Sequence, residues 1–95
     1  MAKVHVSLQI LPMVERDRLY QVVDRVIEYI RSSGVRYVVG PMETTMEGEM
    51  DELLDIVKEA HRICEQEGAW RVAAVIKIDY VPEGVSFEEK LEKYR

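Results

Sequence analysis

Between Lys3 and Leu11 apolar and polar side chains alternate: Val4, Val6, Leu8 and Ile10 fall to one side, His5, Ser7 and Gln9 to the other. Successive residues of an extended chain point to opposite faces, so this spacing predicts a strand with one apolar and one wet face. Pro12, which lacks an N–H, ends it. From Glu15 the period changes, and Leu19, Val22, Val23, Val26, Ile27 and Ile30 recur at three- and four-residue steps, as a helix covering a core requires. Ser33-Gly34 supplies the stop. The apolar run Val35 to Gly40 predicts a second strand; Pro41 fixes φ and forces a tight reversal over Gly40 to Glu43, after which Thr44 to Gly48 forms a third. A second helix is predicted from about Met50 to Glu67, with Met50, Leu53, Leu54, Val57, Ala60 and Cys64 as its stripe. Glu49, Asp51 and Glu52 meet the positive end of its dipole, and Gly68 stops it. In Trp70 to Tyr80, Val72, Ala74, Ile76 and Ile78 alternate with Arg71, Ala73, Val75, Lys77 and Asp79, which predicts a fourth strand broken by Pro82 and Gly84. Ser86 with Glu89 three residues on makes a capping box for a short terminal helix, Phe87 to Tyr94.

The order is β-α-β-β-α-β in one domain spanning residues 1–95. With right-handed crossovers the compact solution is an antiparallel sheet ordered 4-1-3-2 with both long helices on one face, an α+β, ferredoxin-like fold. The topology has a chemical consequence. If the apolar sets face the helices, then His5, Ser7, Gln9, Thr45, Glu47, Lys77 and Asp79 share the opposite, helix-free face of the sheet.

Bulk properties narrow the functions available. Ninety-five residues with a formal net charge of −5 oppose nonspecific binding to a phosphate backbone, which needs clustered Lys and Arg. The thirteen basic residues interleave with acids instead. A chain this short buries a modest share of its surface, so self-assembly is a natural source of further burial. The single Cys64 forms no internal disulfide, and its place in a helix stripe fits a reducing interior rather than nucleophilic catalysis. No basic-then-apolar leader and no long uncharged apolar span occurs, so the expectation is a cytoplasmic protein without membrane contact. His5, His61 and Cys64 lack zinc-site spacing; His61 is expected at a helix–sheet boundary and His5 at the fringe of the first strand. Other users of the fold also fit poorly. The two central strands carry no aromatic platform for RNA, and Pro12-Met-Val-Glu15 is neither a Cys-x-x-Cys metal loop nor a glycine-bearing anion loop.

One stretch is more particular. Tyr37-x-x-Gly40-Pro41-Met42-x-Thr44-x-x-Glu47-x-x-x-Asp51-Glu52-Leu53, followed by a helix with Ala60-His61 and a strand ending Lys77-Ile78-Asp79, resembles the small thiamine-binding protein family of the YkoF-like superfamily. The resemblance covers nearly the whole chain and is most specific from Gly40 to Leu54. It implies binding of thiamine or its hydroxymethylpyrimidine portion, no catalysis, no cofactor, and assembly into homodimers or homotetramers. Glu43 departs from the small residue expected after Pro-Met, which bears on the width of the turn and of a pocket mouth.

The residue chemistry agrees with such a ligand. An aminopyrimidine presents ring-nitrogen acceptors and an exocyclic amine, and a thiazolium is cationic. Glu47 is the expected acceptor for the amine or the cation, with Ser7, Gln9 and Thr45 completing hydrogen bonds, Tyr37 or Trp70 supplying a ring, and Pro41 and Met42 shaping the rim. Lys77 is expected to pair with Glu47 across the sheet or to stay solvated. The alternative is a structural or regulatory oligomerisation domain without a small ligand, in which those polar residues are only the wet face of a one-sided sheet.

Overall fold

The computed structural model describes residues 3–95. Strand β1 (Val4–Pro12) leads through a 3-10 turn, Arg16–Arg18, into helix α1 (Leu19–Ser32); β2 (Arg36–Val39) and β3 (Thr44–Gly48) form a hairpin, and α2 (Met50–Gln66), β4 (Val72–Asp79) and α3 (Phe87–Leu91) follow, with a last 3-10 turn at Glu92–Tyr94. The sheet is antiparallel and ordered β2-β3-β1-β4, which is the ferredoxin-like order expected from the sequence. Element ends move by one to four residues. The first helix begins at Leu19 rather than Glu15 because Arg16–Arg18 wind as a tighter turn.

Burial follows the alternation in β1 and β3, but not in β4, an edge strand where Ile76 and Ile78, expected beneath the helices, are 40% and 46% exposed. Val4, Val6, Leu8 and Ile10 of β1 and Met46 of β3 pack beneath Val22, Val26 and Ile30 of α1 and Leu53, Ile56, Val57, Ala60, Ile63 and Cys64 of α2. Gly34 and Gly68, with φ of 85° and 95°, turn the chain left-handed after α1 and α2, where a side chain would be strained. Gly40 is needed for a different reason. Its N–H donates to the Glu43 carbonyl at 2.8 Å, closing the β2–β3 hairpin, and a Cβ there would sit 3.0 Å from that oxygen.

The face opposite α1 and α2 is partly covered, which corrects the expectation of a helix-free surface. After the break at Pro82–Gly84 the chain folds back, and α3 lies against the β1–β3 end of that face, burying Phe87 to 8% exposure. Ser86 caps α3 by accepting from the Glu89 N–H at 3.2 Å. Among the described residues no helix is long and apolar enough to cross a membrane.

Candidate ligand-binding site

Antiparallel register decides which side chains meet on the second face. His5 of β1 stands between Glu47 of β3 and Asp79 of β4, and Ser7 stands between Thr45 and Lys77. Arg36 and Val38 of β2 continue the two rows. The His5 row is an anchor for α3. His5 Nε2 lies 3.0 Å from Glu47 Oε1, the Phe87 N–H donates to the same oxygen at 2.8 Å, and Arg36 Nη1 donates to Oε2 at 3.0 Å. The Phe87 ring stacks on His5 with centroids 4.6 Å apart, and the Arg36 guanidinium lies over it at 5.3 Å. Arg36 also grips Glu88 with both nitrogens at 2.9 and 2.5 Å, and Lys90 reaches Asp79 at 2.6 Å. His5 and Glu47 are each only 4% exposed. His5 is therefore buried, not at the fringe, because a segment 82 positions further along the chain folds over it.

The Ser7 row stays open. Ser7 Oγ donates to Glu43 Oε2 at 2.5 Å and lies 3.1 Å from Thr45 Oγ1. Since the single Ser7 proton goes to the carboxylate, Thr45 is the donor to Ser7, and its own lone pairs remain for a guest. Lys77 Nζ approaches Glu43 Oε2 at 3.1 Å. Lys77 thus pairs with Glu43 and not with Glu47, whose oxygens are already taken by α3, His5 and Arg36. Over this row lies a cavity of about 380 Å³ whose lining includes Ser7, Glu43, Thr45, Lys77, Phe87 and Leu91. Its size is in the range of pockets that hold small organic molecules.

Of the residues singled out from sequence, Ser7, Thr45 and Lys77 meet in this cavity. Glu47 lies beneath it as the anchor of the wall. Pro41, Met42 and Gln9 line a separate groove of about 260 Å³ beside α1. Tyr37 stands opposite Met46, so its ring packs on the core side of the sheet; Trp70 is exposed before β4, with Arg71 5.3 Å from its ring. Phe87 is the aromatic of the site, and its ring is already engaged by His5 and Arg36.

Comparison with known proteins now bears on what this cavity serves. The family described as thiamine-binding protein matches residues 6–95. The chain belongs to the thiamine-binding protein family. A UPF0045 protein of Clostridium perfringens is 63% identical over 91 residues, 96% of either chain. A Bacillus cereus domain of unknown function superimposes with a TM-score of 0.93 at 48% identity, covering 99% of this chain and 91% of the other. A Thermotoga maritima protein provisionally assigned to thiamine biosynthesis or salvage gives 0.90 at 49% identity, with 98% and 99% covered.

In this family member the carboxylates of the second face are all held ionised. Burial by itself would raise the Glu47 carboxyl, but bonds from His5 and the Phe87 N–H and the charge of Arg36 outweigh it, and the group sits below its ordinary range. The Ser7 hydroxyl, then Lys77, lower Glu43; Lys90 lowers Asp79; Arg36 takes Glu88 down to about 2. Each folded-state value lies below the unfolded one, so the stabilisation is complete above the ordinary carboxylate pKa and is lost as pH falls through the folded value. Glu47, Glu88 and Asp79 all tie α3 to the sheet. Acidification from the usual 4.5 of a glutamate towards about 2 is therefore expected to free α3. Protection of the amides at residues 87–91, that is, their exchange relative to the intrinsic rate at each pH, should fall over that window; protection that holds or rises on acidification would contradict the assignment.

Sequence reasoning missed Glu43, Phe87 and Lys90 as builders of the site. Glu43 had a signal: it follows the hairpin's Gly40-Pro41 and lies two residues before Thr45, on the same side of the strand, hence beside Ser7. The docking of α3 had none, because it is a contact between distant segments.

Proposed function

We propose that this chain binds thiamine or its hydroxymethylpyrimidine portion without transforming it, in the cavity between α3 and the Ser7 row. One observation carries the reading: an ionised carboxylate, Glu43, and two hydroxyls, Ser7 and Thr45, line a small cavity walled by Phe87 and Leu91, in a chain of the thiamine-binding family. Glu43 and Thr45 offer acceptors to an exocyclic amine or a cationic ring, and Lys77 offers a donor to a ring nitrogen. A binding role also fits Cys64, the one thiol. It is wholly buried and burial pushes its pKa up, opposite to what an activated nucleophile needs.

Thermal unfolding at fixed protein concentration, with excess thiamine, hydroxymethylpyrimidine or thiamine diphosphate, tests the reading. A ligand at about 100 times its dissociation constant stabilises by about 2.7 kcal/mol, which for a domain of this size raises Tm by roughly 10 °C or more. A shift with thiamine or the pyrimidine is expected. No shift with any of the three, in ligand-free protein, refutes it.

A second reading, an oligomerisation domain, is favoured by β4. This edge strand is eight residues long, its first five residues, Val72 to Ile76, carry no charge, and Val75, Ile76 and Ile78 are 51%, 40% and 46% exposed. Free edges are ordinarily blunted by charge or covered, so a second copy laid along β4 suits it. The two readings are compatible, and only the absence of ligand stabilisation would leave the second alone.

A further inference from the structure

Resting on the reading just given, we infer that Glu43 is the carboxylate that selects a positively charged ligand, and that Lys77 is a resident counter-cation which such a ligand displaces. Two glutamates face this side of the sheet, and geometry gives them different work. The Glu47 side chain is 3% exposed, and its two oxygens receive His5, the Phe87 N–H and Arg36. A guest reaching Glu47 would have to lift α3 away. The Glu43 side chain is 34% exposed at the cavity, and both groups that touch it, Ser7 and Lys77, approach the one oxygen Oε2.

The two partners of Glu43 differ in how readily they leave. Ser7 is 7% exposed in a central strand, and its hydroxyl is fixed by Thr45 behind it. The Lys77 side chain is 67% exposed on the edge strand β4. Its ammonium can swing into water at little cost, since ion pairs this exposed are weak and lysine is a flexible, strongly hydrated point charge. The hydroxyl thus holds the carboxylate in place while the ammonium occupies the position of positive charge beside it. Glu43 is kept ionised by both, so it presents full charge at neutral pH. A cationic ring entering between Phe87 and Thr45 meets that charge in a partly dehydrated setting and takes the place of the lysine. A neutral pyrimidine can donate its amine to the carboxylate but brings no charge to replace that of the ammonium.

This assignment predicts an unusual sign. Removing a basic residue from the cavity should favour the cation, because Lys77 competes with it. Isothermal titration of the full chain with thiamine, which is cationic, and hydroxymethylpyrimidine, which is neutral, gives the ratio of their affinities. In Lys77→Met that ratio is expected to rise by up to about fivefold, the strength of an exposed pair. In Glu43→Gln, which still accepts from Ser7 but carries no charge, it should fall by about tenfold or more, as for loss of a charge-assisted bond. A ratio that does not rise in Lys77→Met, or does not fall in Glu43→Gln, overturns the inference while binding itself persists. Failure of the wild-type chain to bind either compound removes the reading beneath it as well.

Discussion

Glu47→Ala is expected to lower stability by about 3 kcal/mol and to loosen α3 first. The substitution leaves the His5 ring N–H and the Phe87 backbone N–H without their acceptor in a region where both residues are more than nine-tenths buried. Each such orphan costs about 1–3 kcal/mol. Arg36 loses less, since it is half exposed and keeps Glu88. The full sum is not reached if α3 undocks, because water then reaches the orphaned donors; the loss is limited to what Phe87 contributes by stacking on His5. Glu47→Gln keeps an acceptor oxygen for His5 and Phe87 and turns an amide towards Arg36, so it should cost about 1 kcal/mol. Urea unfolding gives the global change, and amide exchange at residues 87–91 tells local release from global loss. A Glu47→Ala protein within about 0.5 kcal/mol of the parent would show that the anchor lies elsewhere. The pair of variants also bears on binding. If Glu47 acts through the wall it holds up, Glu47→Gln retains the ligand and Glu47→Ala loses it.

The difference between what was legible and what was not is one of range. Two-residue and three-to-four-residue periods report which side of a strand or helix is buried, and these located β1, α1, the hairpin, α2 and β4, and hence the sheet order. Parity along β1 and β3 put His5, Ser7, Thr45 and Glu47 on one face. Parity also decides the place of Tyr37. Closing the hairpin with Gly40 opposite Glu43 places Tyr37 opposite Met46, on the core side and away from the open face. Glu43 was legible as a departure from the expected small residue, but its meaning depends on a side chain reaching back over β1. The burial of His5 and the saturation of Glu47 depend on where the chain goes after Pro82, and no local pattern encodes that. The capped start at Ser86 marked a short helix there, but not the surface on which it docks.

Leu53→Ala is expected to have the opposite character: a loss of about 3–5 kcal/mol felt by the whole domain at once. Leu53 is fully buried in the first turn of α2, within the core that also contains Val4, Val6 and Met46. Its fit is tight on the strand side, since a Cβ on Gly48 would lie 3.3 Å from Leu53 Cδ2. Deleting its terminal carbons removes buried apolar area and leaves a void that a close-packed interior fills only in part; the Leu→Ala range for such sites is about 2.7–5 kcal/mol. Domains have about 5–15 kcal/mol in total, so this one change consumes a large fraction and should lower Tm by roughly 4–8 °C for each kcal/mol. Exchange protection is expected to fall together in β1, β3 and α2, in contrast to the local release of α3 by Glu47→Ala. Leu53→Met, close in volume, should cost under about 1.5 kcal/mol. The Ser7 row lies on the other face of the sheet, so folded Leu53→Ala protein should keep the ligand affinity of the parent. Urea unfolding followed by circular dichroism measures the first claim, and a loss below about 1 kcal/mol would mean that α2 and the sheet close over the missing side chain.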